Sequence, residues 1–481
     1  MWLTMWAPGL FVLGTLNTIL SISTARQESS ADSQSTYGPQ YKAVDYNHKP
    51  IVTADGSNII FHHALKGKYD DHSEDVDEIR FIFTNDIHSR EDSHNRMGVD
   101  CNPIDLEEGT CYGGAARRKT IIDALRRGHK WTYVLDAGDV SEGHPLFAYY
   151  NGEVSAAVMK HIDYHAVTLG NHEFDRGSKN LANLLPKLGT TVICSNINLD
   201  RAPELAEVVQ PYVIFEEPNK PKVAVIGLTT ITTASITLGA KDVSFEDPTS
   251  IVKRHIEDLK TKHGVNIIVA LSHNGYDQDQ EMAANTSGLL AIFGGHSHTY
   301  LSTDENDPEA DGKYPTTVFG EDGQPVYIVQ AKKFGEYVGF LDLSITKEGQ
   351  VIKLSGQPIH ITANIPEDPA VKAFIAKVRE PMDAEGKLQL WNTPVDLRQE
   401  ICKRDECRLS NMVTDAMLYI AAKYSPFKES NRHRSPAQIA LINSDVMRSG
   451  LRQGPITMLH MMGIFPNTNK LVEVELTGKQ I

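Results

Sequence analysis

Apolar runs along this chain end repeatedly in the same kinds of polar residue. Ile79–Thr84 (IRFIFT) leads into Asn85-Asp86-Ile87-His88, and Thr132–Asp136 (TYVLD) into Ala137-Gly138-Asp139. Val167-Thr168-Leu169 stops at Gly170 and is followed by Asn171-His172-Glu173-Phe174-Asp175. Val265–Leu271 (VNIIVAL) ends at Ser272-His273-Asn274, and Leu289–Phe293 (LLAIF) at Gly294-Gly295-His296-Ser297-His298. Short runs of β-branched and aromatic residues predict buried strands. Each strand end therefore delivers Asp, Asn or His to the rim of a sheet. Between the strands, Ala115–Arg127, Glu153–Ile162, Asn180–Leu188 and Ser250–His263 carry helical spacing, the last with Ile251, Val252, Ile256 and Leu259 on one face. Val326–Ala331 and Tyr337–Ile345 supply closing strands, and the alternation predicts a layered α/β domain.

Other patterns frame this region. Pro8–Ser23 is apolar and free of Lys, Arg, Asp and Glu, but short and interrupted for a membrane span. Followed by the small residues Ser23-Thr24-Ala25, it predicts a secretory signal peptide over residues 1–25. Residues 26–78 read as a polar N-terminal extension, with a hairpin predicted over Ile51–His62 about Asp55-Gly56. Near residue 365 the character shifts. Asp368 is a good N-cap, Pro369 suits the first helical position, and Val371, Phe374, Ile375 and Val378 form one apolar stripe. These predict a helix over Pro369–Arg379, in a linker at 366–384 between a first domain at 79–365 and a second unit at 385–481.

Composition adds two constraints. The 481 residues accommodate two or three domains, and a formal net charge of -15 argues against nucleic acid as the main partner. No apolar tail follows the second unit, so neither a lipid-anchor signal nor another stable membrane anchor is expected. The expectation is a soluble, secreted, extracellular protein.

The strand ends matter for what they hold. Asp86, Asp139, Asn171, His88, His273, His296 and His298 are too many ligands for one tetrahedral ion. They suit two adjacent ions that share a carboxylate. Asp86 and His88 alternate along an extended segment and can face one metal together with His298. Asn171, His273 and His296 can hold the second, with Asp139 as the bridge. Imidazoles mixed with oxygen ligands favour Zn, Mn, Fe or Co over Mg or Ca. A set of solvated loop histidines is the alternative, and five ordered strand ends weigh against it. His172 stands beside Asn171, with Asp175 close enough along the chain to orient its imidazole.

These residues resemble the calcineurin-like metallophosphoesterases, whose Asp-x-His, Gly-Asp, Gly-Asn-His-Glu, His and Gly-His-x-His motifs run in that order. Thr84-Asn85-Asp86-Ile87-His88-Ser89-Arg90, Gly113-Gly114-Ala115-Ala116-Arg117, Leu135-Asp136-Ala137-Gly138-Asp139 and Gly312-Lys313-Tyr314-Pro315 look like one branch. That branch is the secreted 5'-nucleotidase, apyrase and UDP-sugar hydrolase family. The resemblance implies a four-layer sandwich of two sheets flanked by helices, a linker helix, and a partial second α/β substrate domain. It implies two divalent metals, with Zn first and Mn, Co or Fe as substitutes. His172, oriented by Asp175, would stabilise or protonate the leaving group. The resemblance places disulfides at Cys101–Cys111 and Cys402–Cys407, as an oxidising compartment allows. Cys194 remains as a core thiol in Thr191–Ser195. On the substrate side the resemblance points to Lys403, Asn443 and Arg448.

The chain also departs from that family. The usual glycine-rich loop reads Asn443-Ser444-Asp445-Val446-Met447-Arg448, without its three glycines, and Asp445 is expected to repel phosphate. Pro466-Asn467 stands where a Pro-Phe pair would place a stacking ring, with Phe465 nearby as a substitute. The implied function is a secreted dinuclear-metal phosphohydrolase acting on extracellular nucleotides. A broad-specificity phosphoesterase and a non-catalytic binding protein on the same fold are the alternatives these departures keep open.

Overall fold

A computed structural model of the chain describes residues 76–480 except 102, 128, 130, 219, 425–436 and 466–469. It also describes the short strands Trp2–Ala7, Ile51–Val52 and Asn58–Ile59. Most of the predicted signal peptide, the predicted turn at Asp55-Gly56, Pro466 and Asn467 lie outside the described residues.

Two six-stranded sheets stack face to face. The first runs Val351–His360, Tyr337–Thr346, Val76–Thr84, Trp131–Asp136, Ala166–Thr168, Thr191–Ile193. The second runs Thr316–Phe319, Pro325–Val329, Ala291–Gly294, Ile267–His273, Val223–Thr229, Tyr212–Phe215. Side-chain alternation assigns each residue to a layer. Ile79, Phe81 and Phe83 point into the core between the sheets, where Phe293 lies 5.1 Å from Phe81 and 5.3 Å from Phe83, while Ile82 points to the helices outside. Likewise Val223 and Val225 face the inter-sheet core, whereas Ala224, Ile226 and Leu228 pack beneath the helix Pro248–His263. Burial on both faces is why these strands read as near-continuous apolar runs, interrupted in the first by Arg80.

The central strands of both sheets are parallel. Their carboxyl ends consequently gather along one rim. Helices Ala115–Arg126, Glu153–Ile162 and Ser178–Leu184 cover the outer face of the first sheet. The helix predicted over Asn180–Leu188 instead tightens into a 3-10 turn at Leu185–Leu188. Pro186 removes a donor there, and the four-residue ladder cannot continue through it.

The linker helix runs Pro369–Gly386, past the predicted end at Arg379 and through Pro381. Asp368 caps it by accepting from the backbone amides of Ala370 and Val371 at 3.0 and 2.9 Å. Val371, Ile375 and Met382 join the core of the first sheet and its helices, so burial carries the helix across its proline. The C-terminal unit has its own small core around Leu409, Val413, Met417, Leu451 and Ile456. Its helix is Arg408–Tyr424, and the strands Gln389–Thr393 and Gly454–Thr457 pair antiparallel. In a further sheet Trp2–Ala7 lies between Ile439–Ile442 and Lys470–Glu475, so residues assigned to the export signal form its middle strand.

Both expected disulfides are formed, Cys101–Cys111 and Cys402–Cys407, and Cys194 is a buried free thiol. Among the described residues no helix is long and apolar enough to cross a membrane.

Candidate metal centre

The rim is assembled by chain segments that continue pairing after their strands stop. Asp86, His88 and Ser89 donate their backbone amides to the carbonyls of Gly138, Asp139 and Val140, each at 2.9 Å. The same turns place Asp86, His88, Asp139, His296 and His298 at positive φ, between 50° and 74°. Side chains other than glycine avoid this region, and residues held there mark a backbone over-determined by its surroundings. Gly170 makes the closest approach. A Cβ there would sit 2.1 Å from Asp139 Oδ1, so only glycine lets the Asn171 loop reach Asp139.

Two groups of side chains converge at this rim. In one, Asp86, His88 and His298 come together, with His88 Nε2 3.0 Å from His298 Nε2 and His298 Nε2 3.3 Å from Asp86 Oδ1. In the other, Asp139, His273 and His296 meet, with His273 Nε2 3.1 Å from Asp139 Oδ2. Asp139 Oδ2 also lies 3.9 Å from His88 Nε2, so one carboxylate oxygen faces both groups. Asn171 is buried beside them, its Oδ1 without a hydrogen-bond partner. The structure thus gathers six of the seven predicted ligands into two adjoining sites and leaves Asn171 next to them.

These donors suit cations. His273 Nδ1 bonds the carbonyl of Ala137 at 2.6 Å, which fixes Nδ1 as a protonated nitrogen and aims Nε2 inward at Asp139. Burial would raise Asp86 and Asp139, but the surrounding imidazoles, His298 and His273 for Asp86 and His273 and His172 for Asp139, hold both below the ordinary carboxylate range. Burial pulls His88, His298 and His296 down, His296 to about 4. Burial acts the same way on His273, but Asp139 and Asp86 outweigh it and lift that imidazole to about 10. Carboxylates that favour a proton there equally favour a metal cation. Ionised carboxylates, the neutral imidazoles of His88, His296 and His298 and a bare amide oxygen are the protonation states that divalent ions bind, and a cation at His273 would take the place of its second proton.

A second constellation borders the first. His172 Nδ1 bonds Asp175 Oδ2 at 2.7 Å, as the spacing predicted, and its backbone amide donates to Asp139 Oδ1 at 2.9 Å. Arg448 Nη2 reaches across from the C-terminal unit to His172 Nε2. Arg448 also pairs with Glu142 Oε2 at 3.1 Å. Glu142 is 0% exposed, sits at φ 84°, and lies 3.5 Å from His172 Nδ1 and 3.7 Å from His88 Nδ1. Burial would lower His172, but Glu142 and then Asp175 and Asp139 outweigh it, lifting His172 to about 9 against the opposing charge of Arg448. The Arg448 contact itself needs a lone pair on Nε2, so guanidinium and carboxylates pull this ring in opposite directions.

Sequence reasoning missed four residues here. Glu142 and Glu173 were passed over because an acidic residue after a glycine turn reads as solvated. Glu173 instead accepts from the backbone amides of Gly170 at 2.7 Å, Asp139 at 2.8 Å and Val140 at 3.0 Å, tying the two loops together. Phe334 and Lys333 follow the strand Pro325–Val329 and carry no motif; Phe334 nevertheless packs edge-on to His88, with ring centroids 5.9 Å apart. Of the predicted substrate-side residues, Arg448 reaches the site. Lys403 is exposed and pairs with Asp445 at 3.1 Å, which offsets the charge expected to repel phosphate. Asn443 is exposed, and its side chain accepts from the Asp445 amide at 2.9 Å. Phe465 packs against the C-terminal core instead of standing free to stack.

Comparison with known proteins agrees with this arrangement. Residues 79–300 match the calcineurin-like phosphoesterase family, and residues 386–481 match the 5'-nucleotidase C-terminal domain. The snake venom 5'-nucleotidase of Naja atra is 33% identical over 400 residues, covering 81% of this chain and 74% of the relative. The 5'-nucleotidase of Homo sapiens is 31% identical over 415 residues, covering 84% of this chain and 70% of the relative. Among solved structures, a 5'-nucleotidase precursor from Thermus thermophilus superposes with a TM-score of 0.73 at 31% identity, over 81% of this chain and 74% of that one. The snake venom 5'-nucleotidase of Gloydius brevicauda is matched over 66% of its length, so the chain spans about two thirds to three quarters of these relatives.

Proposed function

The chain belongs to the 5'-nucleotidase family of calcineurin-like phosphoesterases, and from that premise we propose that it removes phosphate from nucleotides with the help of two divalent metal ions. The observation that carries this reading is the adjoining pair of donor groups with Asp139 facing both. Asp86, His88 and His298 would hold one ion and Asn171, His273 and His296 the other, with Asp139 shared. Mixed imidazole, carboxylate and amide donors fit Zn first, with Mn, Co or Fe as substitutes. Bound there, the ions would polarise a phosphate ester and lower the pKa of water from about 16 toward about 7.

The remaining work falls to the chain's own side chains. Held by Asp175 at Nδ1, His172 would present Nε2 to the leaving oxygen and donate a proton or hydrogen bond there once a bound phosphate draws the Arg448 guanidinium away from it. Arg448 brings a guanidinium to the same face and balances charge on the phosphate. Glu173 keeps the Asp139 and Asn171 loops in register. Phe334 walls one side of His88 and excludes water from it. We further read the protein as exported, which two disulfides support.

The test is phosphate release from AMP, ADP, ATP and a generic phosphoester, with and without a chelator. Release from nucleotides that stops on chelation and returns with Zn or Mn is expected. No release from any of them after metal loading would overturn the reading.

A further inference from the structure

Glu142 is fully buried beside the rim, although the turn that carries it sets this non-glycine residue at φ 84°. Gly143 follows at φ 79°, so close to Arg90 that a Cβ there would lie 2.6 Å from Nη1. Backbone held in that region is over-determined by its surroundings, and here it turns a carboxylate inward. Three nitrogens stand around the carboxylate: His172 Nδ1 at 3.5 Å, His88 Nδ1 at 3.7 Å and Arg448 Nη2 at 3.1 Å. Asp175 already holds His172 Nδ1 at 2.7 Å, and of the three groups only the guanidinium carries a fixed charge.

Arg448 is divided by this arrangement. Its Nη2 is shared between Glu142 and His172 Nε2, while its Nε is buried without a hydrogen-bond partner among the described residues. A guanidinium presents five N–H donors in a planar fork that matches phosphate oxygens in pairs. Part of that fork is therefore spent on the protein before any anion arrives. The carboxylate also adds a negative charge next to the place where phosphate would meet the fork. Both effects have one sign, since each weakens the hold of Arg448 on phosphate. Neither builds the two metal groups, because Glu142 belongs to neither the Asp86 set nor the Asp139 set.

We propose that Glu142 is a positioning residue that competes with phosphate for Arg448, holding the guanidinium while the site is empty and loosening its grip on the phosphate product. This rests on the phosphohydrolase reading above and adds to it a residue that acts through Arg448.

The experiment uses the full chain loaded with Zn, as wild type, Glu142→Gln and Glu142→Met, two neutral side chains of similar reach. Binding of inorganic phosphate is measured by calorimetry, KM and kcat for AMP by phosphate release, and Zn by elemental analysis. Both variants are expected to keep their Zn and to lower the Kd for phosphate about tenfold, the size of one charge-assisted contact. KM for AMP should fall with it. In an Arg448→Ala background, adding Glu142→Gln should raise Tm, because it neutralises a buried carboxylate that the first substitution strands. Unchanged or weaker phosphate binding in the variants that fold overturns the proposal, and so does the absence of any gain in Tm. A merely structural role, which lowers kcat or Tm without tightening phosphate, overturns it as well, and loss of Zn would make Glu142 a ligand instead. If the wild type releases phosphate from no nucleotide, the hydrolase reading falls, and the calorimetry still decides the role of Glu142.

Discussion

At the sheet rim, Asp86, His88, Asp139, Asn171 and His273 are buried, and backbone bonds, a second carboxylate or a tautomer-fixing carbonyl hold them in place. Across the seam, Lys403, Asn443 and Asp445 are exposed, and their recorded partners are mostly one another. The two regions meet through Arg448, half-buried against His172 and Glu142, and through Arg452, which bonds Asp105 and, at 2.6 Å, Glu108. The difference is one of cost. A buried metal ligand cannot move without leaving an unpaired polar group in the core. A solvated lysine or asparagine can shift with little penalty. On the proposed reading the chemistry belongs to the buried rim, and the exposed Lys403, Asn443 and Asp445 can vary without disturbing it.

Substitutions on either side should break that division unequally. The largest effect is expected for Asp139→Ala, which removes the carboxylate facing both donor groups. It should lose bound metal and lower kcat/KM at least about a thousandfold, since the ions supply several kcal/mol of stabilisation. Elemental analysis alongside phosphate release checks both. His172→Asn comes next, with kcat lowered roughly 10²–10⁴-fold and metal content retained, because His172 bonds Asp175 and Arg448 outside the two donor groups. Loss of metal in that variant would move His172 into the coordination sphere. Across the seam the effects should shrink. Arg448→Ala should raise KM about tenfold through one charge-assisted contact, and Asn443→Ala should change it by less than about threefold. Steady-state kinetics on the pair would blur the comparison if Asn443 proved the more sensitive.

The sandwich was legible because both faces of its strands are buried, so Leu289–Phe293, and Ile79–Phe83 apart from Arg80, stand out as apolar runs. The donor set was legible for the same reason, since polar residues directly after such a run have only the rim to occupy. Features that depend on packing across sequence were not. Glu142 looks like any acidic turn residue until Arg448, far along the chain, is placed against it. Pro381 reads as a helix stop, yet Met382 and Gly386 remain helical because their burial outweighs the missing bond. The exposed strip of the C-terminal helix, Tyr419, Ile420 and Tyr424, carries no periodic clue to what it faces.

The central claim is that one buried rim holds two cations sharing Asp139. The direct measurement is the Zn content of the full chain after stripping with chelator, reloading and removal of free metal. Two ions per chain are expected in the wild type. One ion or none would contradict the account.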